Sequence, residues 1–194
     1  SRGAFDWNVT AYRAVWRDEI LRLADASGQP RGAINAGPTV HEGIETALHW
    51  TMARAPHRVT VVATSTLGRF RFDADPIYGD NRIAGAPPHA GSAELSYAHG
   101  RGFFAALEST WIAGRTSVDH AGRLGYGGHT LCNGRAGWRW NERLTVVLTG
   151  RNLLDRAHLA STAGVLDLAR APATTAIFLP GAGRGFTIGV EWKR

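Results

Sequence analysis

The chain has 194 residues, enough for one domain with a sizeable core or for part of a larger one. Its 44% hydrophobic and 20% charged content exclude disorder, and no run of eighteen apolar residues exists to form an ordinary transmembrane helix. The net charge of +6 comes from 22 basic and 16 acidic residues scattered without a cluster, so a nucleic-acid surface is not expected.

Taken in chain order, the sequence resolves into segments with period-two alternation. The first, Phe5 to Leu23, sets Val9, Ala11 and Val15 on one side. The second, Ile34 to Ala53, places Ile44, Leu48, Trp50 and Met52 opposite Glu45, His49 and Thr51. The third, Arg58 to Phe72, sets Val59, Val61, Ala63 and Leu67 against Thr60, Thr64 and Thr66. The fourth, Ala90 to Ala98, alternates Ala93, Leu95 and Tyr97 with Glu94 and Ser96. The fifth, Phe103 to Ile112, alternates Phe103, Ala105, Leu107 and Trp111 with Glu108 and Thr110. A sixth carries Ala136, Trp138 and Trp140 against Arg135 and Arg139. A seventh carries Leu144, Val146 and Leu148 against Thr145, Thr149 and Arg151. The eighth closes the chain with Phe186, Ile188, Val190 and Trp192 against Thr187, Gly189, Glu191 and Lys193. No segment has an amphipathic-helix pattern, and 24 glycines favour turns and curved sheet.

The connectors alternate in length. Short turns at 54–57, 99–102 and 141–143 are separated by long loops around 24–33, 73–88, 117–128 and 156–175. Short turns at one end and long loops at the other are the rule for outer-membrane barrels. Trp50, Tyr97, Phe103, Trp138, Trp140 and Trp192 fall near the short-turn ends, as an interfacial aromatic girdle would. The expected fold is therefore all-β: an antiparallel transmembrane β-barrel segment of about eight strands, with short periplasmic turns and long extracellular loops. Leu95, Leu107, Trp138, Val146, Ile188 and Val190 are expected to face lipid. Glu94, Glu108, Arg135, Arg139, Thr149, Arg151 and Glu191 are expected to line the lumen. Because a spanning sheet must close, and because Ser1-Arg2-Gly3 reads as a cut into something longer, 1–194 is expected to be part of a larger barrel.

Four stretches carry a resemblance. "INAGPTVHEGIETAL" (34–48) resembles the Asn-then-Gly-φ-Glu strand of TonB-dependent outer-membrane receptors. "YGDNRIAGAPPHAGSAEL" (78–95) is similar to their loop-to-strand passage. "LTGRNLLDRAHLAS" (148–161) resembles their Asn-Leu-φ-Asp signature, and "FLPGAGRGFTIGVEW" (178–192) follows it at the family's spacing. The chain departs from the family at its end, where Trp192 is followed by Lys193-Arg194. The resemblance implies the C-terminal portion of a plugged, 22-stranded barrel in the outer membrane of a Gram-negative bacterium. It further implies uptake of a scarce bulky solute, typically a ferric siderophore, haem or cobalamin, energised by the TonB complex. The plug and its TonB-contacting box would lie N-terminal to this stretch.

Recognition of a small-molecule or metal-chelate solute is expected in the long loops, with Asp73, Asp75, Tyr78, Asp80, Arg82, His120, Arg123, His158 and Arg170 as candidates. Loops held by a scaffold meet the solute first, and Tyr, Arg and His offer stacking and charge-assisted hydrogen bonds. The eight histidines lack ligand spacing and Cys132 is alone, so no metal site or cofactor is expected. "DADPIYGD" (73–80) lacks the spacing of a calcium loop, and "GRLGYGGHT" (122–130) neither follows a strand into a helix nor leads to a Lys-Ser/Thr. No nucleophile elbow, paired-carboxylate arrangement or Ser-His-Asp order is present, so catalysis is not expected. In the lumen, Arg135, Arg139 and Arg151 would pair with Glu94, Glu108 and Glu191 or with an acidic plug, the sharper alternative being a direct role in guiding an anionic substrate. Two other readings compete: a complete small outer-membrane barrel with a structural or adhesion role, and a soluble carbohydrate-binding β-sandwich.

Overall fold

Alternating apolar and polar side chains suit a sheet with two unlike surroundings, and the chain forms one long antiparallel wall. The computed structural model describes residues 2–24, 30–76, 78–162 and 178–193. Their strands are β1 (Arg2–Trp16), β2 (Ile20–Ala24), β3 (Pro30–Asn35), β4 (Thr39–Arg54), β5 (His57–Phe72), β6 (His89–His99) and β7 (Phe103–Ala113). There follow β8 (Thr116–Ser117), β9 (Gly125–Tyr126), β10 (His129–Arg139), β11 (Leu144–Arg151), β12 (Leu159–Thr162), β13 (Phe178–Pro180) and β14 (Gly185–Trp192). Eight of them make the wall, in the order β1-β4-β5-β6-β7-β10-β11-β14, and β2–β3, β8–β9 and β12–β13 are separate two-stranded pairs. Among the described residues no helix is long and apolar enough to cross a membrane.

The register sorts every side chain to one of two faces. Trp7 pairs with Leu48 and Leu48 with Ala63; Val61 pairs with Leu95 and Leu95 with Leu107; Trp138 pairs with Val146 and Val146 with Val190. All six residues expected to face lipid fall on this one face. The opposite face carries the row Glu94, Glu108, Asn133 and the row Arg135, Thr149, Thr187, with Arg139, Arg151 and Glu191 two or four residues along their strands. The apolar face is uncovered: Ile188 is 73% exposed and Trp7 67%. Buried side chains occur only at the long-loop end of the wall, among the described residues. There Ala36, Phe72 and Ile83 form a small core with Leu21, Phe70 and Tyr78 packed on it, and Val40 and Val118 lie nearby. A soluble sandwich would bury one whole face of its sheet. A sheet that leaves its apolar face bare below the loop end is the wall of a transmembrane barrel, where lipid covers that face.

The two ends differ as the sequence predicts. At the short-turn end, the rings of Tyr97, Phe103, Trp138 and Trp140 follow one another at centroid spacings of 6.0, 6.1 and 6.4 Å, forming an aromatic belt. Asn141 closes the last turn by accepting the Arg143 and Leu144 N–H groups on Oδ1. Gly102 adopts φ +100° beside the Arg139 backbone, where a Cβ would collide with the Arg139 carbonyl.

Two segment boundaries are corrected. The first strand ends at Trp16 rather than Leu23, and the second wall strand starts at Thr39 rather than Ile34. Asp18 takes φ 59°, which turns the chain out of the wall. Glu19 then fastens the turn back, accepting hydrogen bonds from Thr39 Oγ1 at 2.6 Å and the Ala36 N–H through its carbonyl, with His41 Nε2 3.1 Å from Glu19 Oε2. The outer parts of both expected strands form the β2–β3 pair instead. The reading as a self-closed small barrel is corrected too. Such a barrel would join β1 to β14, whereas these two strands are the edges of an open sheet.

Candidate functional site

Two regions carry the polar chemistry: the loop cluster at the long-loop end and the charged face of the wall. The loop cluster grows from the acidic turn 73–80. Asp75 and Gly79 exchange N–H···O hydrogen bonds of 3.0 and 2.8 Å, Tyr78 donates its N–H to Asp75 Oδ1, and Ala74 donates its N–H to Asp80 Oδ1. The turn needs positive φ at Ala74 (53°) and Gly79 (59°), which these carboxylate bonds hold in place. Arg71 adds a hydrogen bond of 3.0 Å to Asp73 and lies 3.7 Å from Asp80. Three of the expected contact residues, Asp73, Asp75 and Asp80, thus shape their own loop. Asp80 still has 72% of its side chain exposed.

A second loop locks onto the first through His120. Its Nδ1 accepts the Ala84 N–H at 3.2 Å, its carbonyl accepts a hydrogen bond from Asn81, and its ring stands edge-on to Phe72 at 5.0 Å and tilted to Tyr78 at 5.3 Å. Asp119 Oδ1 receives the Leu124 N–H and turns the loop back on itself. His120 is only 3% exposed, so it is placed inside the cluster and not on its surface. Burial lowers its pKa from 6.5 to about 4, against the opposing pull of the Asp119, Asp75 and Glu19 carboxylates. Among the described residues, Thr116 Oγ1, Asp119 Oδ2 and His120 Nε2 are buried without a hydrogen-bond partner. Arg82 and Arg123 are exposed on the two loops so joined. His158 lies in another place, its ring 5.2 Å from that of His129. Arg170 lies outside the described residues.

The Asn-Leu-φ-Asp stretch has a structural job that spacing alone does not reveal. Asn152 is 4% exposed at φ 48°, donates from Nδ2 to the carbonyls of Arg156 and Ala182, and accepts the Arg156 N–H. Its own N–H reaches Asn133 on β10, and Asp155 accepts the Arg184 N–H at 3.0 Å. The motif clamps the end of β11 to the entry of β14.

On the charged face, Glu94 and Glu108 sit directly opposite each other, an arrangement that like charges disfavour. Arg135 Nη2 stands 3.7 Å from Glu94 and Asn133 donates to Glu108 at 3.3 Å, relieving part of that repulsion. Together with Ala106, Gly134 and Thr149 these side chains line a shallow hollow of about 110 Å³. Glu191 pairs with Lys193 at 3.4 Å rather than with Arg135, Arg139 or Arg151. Arg139 and Arg151 are exposed on the same face. Among the described residues no group of three His, Cys, Asp or Glu side chains could hold a metal ion.

An open antiparallel wall with one bare apolar face, one charged face, short turns below and interlocked loops above defines a segment of a large transmembrane β-barrel. Residues 1–153 match the family model described as TonB dependent receptor-like, beta-barrel, and the chain belongs to that family. Among solved structures it is similar to the ferric yersiniabactin uptake receptor FyuA from Yersinia pestis, with 17% identity and a TM-score of 0.75 over 97% of this chain and 27% of that one. It is also similar to the siderophore receptor PiuA from Acinetobacter baumannii (14% identity, TM-score 0.70, 97% of this chain and 26% of that one). The copper transporter OprC shares the fold as well (16% identity, TM-score 0.67, 98% and 29%). The chain thus spans little more than a quarter of the length of these structures. No curated protein matches the sequence.

Proposed function

We propose that this chain is the C-terminal part of the barrel of a Gram-negative outer-membrane receptor for TonB-dependent uptake of a scarce bulky solute, with a ferric siderophore as the cargo. The observation that carries this reading is the eight-stranded wall with a bare apolar face and a charged inner face, its two edges unpaired, in a chain of this family. Of the structures with the same fold, PiuA is described as a siderophore receptor and FyuA as a ferric yersiniabactin uptake receptor. Edges cannot stand open in lipid, so further strands of the same protein complete the barrel. Its plug fills the lumen against Glu94, Glu108, Arg135, Arg139, Arg151 and Glu191, and the TonB complex engages the plug rather than this wall.

Solute recognition belongs to Asp80, Arg82 and Arg123 on the surface of the loop cluster, with the half-buried Tyr78; His158, beside His129, and Arg170 are further candidates. His120, Asp73 and Asp75 hold that surface in shape. The test uses the full-length receptor in a strain lacking its chromosomal copy, grown under iron limitation on single ferric siderophores. Growth on at least one of them should require both the receptor and TonB. Replacing Arg82 and Arg123 together by alanine should weaken binding about tenfold while the barrel stays folded, two charge-assisted contacts being lost. Uptake that is independent of TonB would sink the transport reading, and unchanged affinity in the double variant would sink the loop assignment.

A further inference from the structure

The apolar face of the wall is not uniform. Its outward positions on all eight strands carry Asp, Glu, Lys or Arg at only two levels: Arg54 at the turn end, and a group at the loop end of β1, β4 and β5. In that group Arg13 pairs with Glu42 and Glu42 with Arg69 across adjacent strands. Arg13 Nε lies 3.7 Å from one Glu42 oxygen and Arg69 Nη1 3.9 Å from the other, with the arginine side chains 65% and 59% exposed. One carboxylate shared by two guanidinium groups leaves a net positive charge and most of their N–H donors unused. Arg71, next on the outward side of β5, is turned onto Asp73 and Asp80.

Below these arginines the surface changes in steps. One pair down, Ala11, Ile44 and Leu67 lie in one row, and His89 faces Leu67 from β6. One further down, Val9, Thr46, Ser65, Gly91 and Trp111 form the next row. Ser65 Oγ is 2.9 Å from His89 Nε2, and Trp111 Nε1 donates to the same nitrogen at 3.3 Å, so a small polar cluster stands on the lipid side. The Trp111 indole lies over Gly91, where any Cβ would collide with it. Between Trp111 and the β1 side chains Trp7 and Val9 runs an apolar groove of about 400 Å³, floored by Thr46, Ala63 and Ser65.

We propose that the outward face of β1 and β4–β7 seats one phosphate-bearing acyl lipid of the leaflet around the loop end. Its phosphate meets Arg13 and Arg69, its ester or sugar oxygens reach the Ser65–His89–Trp111 cluster, and one acyl chain lies in the groove. Charge complementarity selects the headgroup, because a guanidinium at this level trades water for phosphate oxygens with bidentate geometry. Charges above, with the polar cluster and the groove beneath them on the neighbouring strands β1 and β4–β7, make the arrangement of a single amphiphile, and a free anion would use only its top. This inference rests on the wall lying in a bilayer and is independent of the cargo.

The test uses the full-length receptor purified in a neutral detergent and monitored by native mass spectrometry with diphosphorylated lipid A, its dephosphorylated form and inorganic phosphate as probes. The wild type should retain diphosphorylated lipid A about tenfold better than either Arg13→Gln/Arg69→Gln or the dephosphorylated lipid, the charge-assisted contacts being lost in both cases. Filling the groove by Ala63→Phe should also weaken retention while leaving the phosphate level intact. All variants lie on the outer face, and heat-modifiable gel mobility reports that their barrels fold. Equal retention by the folded double-arginine variant, or binding of inorganic phosphate as tight as that of the lipid, would overturn the proposal.

Discussion

Asn152 is the residue on which most local structure converges. Alanine there removes three side-chain hydrogen bonds and a residue type that tolerates φ 48°. Net losses of about 1 kcal/mol per hydrogen bond place the cost of Asn152→Ala at roughly 2–4 kcal/mol. The expected outcome is a lower thermal midpoint of the full-length receptor, together with faster amide exchange at Arg156 and Arg184; a midpoint equal to wild type would remove the clamp role. His120 makes a pH prediction. Its folded pKa of about 4 lies below the ordinary 6.5, so the unfolded loop binds a proton that the folded cluster refuses. The cluster's stability is complete above about 6.5 and falls as pH drops toward 4, by on the order of 3 kcal/mol in all. Protection of the Ala84 amide, which donates to His120 Nδ1, should decline over that window in wild type and be flat in His120→Gln. A pH-independent Ala84 amide in the wild type would count against it.

At the scale of the element, the strands answer to two solvents. Val146 lies on the bare face of β11 and Thr149 on the opposite, charged face. Val146→Arg near mid-bilayer should cost roughly 2–4 kcal/mol, whereas Thr149→Arg, facing a wet interior, should cost much less. Unfolding in lipid vesicles gives both numbers. Cysteine variants probed with a water-soluble reagent give the same partition, and labelling of position 146 with sparing of 149 would refute it. The loop elements obey a different rule. The 73–88 and 114–128 loops are held together through Asn81, Ala84 and Gly85 on one side and His120 and Ser117 on the other. Deleting 119–128 should therefore disturb the 73–82 loop as well, and the two deletions should not act additively on solute affinity.

At the scale of the whole molecule, the open sheet is the governing fact. Among the described residues β1 and β14 each have one neighbour, and each presents an unpaired edge. Residues 1–194 expressed alone should aggregate or stay unfolded in detergent, while the same residues within the complete receptor form a heat-modifiable barrel. A monodisperse, heat-resistant monomer of the 194-residue chain would mean that the edges find each other after all. The sequence by itself determined the strand type, the number of wall strands, which residues share a face and the alternation of short turns with long loops, because period two and turn chemistry are local properties. It misplaced the ends of the first two strands, because residues 20–24 keep the alternation of a wall strand while Asp18 and Glu19 turn them away. In the sequence His120 is indistinguishable from the surface residues Arg82 and Arg123, since nothing near His120 in the chain reveals that Phe72 and Tyr78 will enclose it. Arg13, Glu42 and Arg69 are ordinary scattered charges in the sequence. Only the register, set by pairing between strands far apart in the chain, places them in one row above the groove.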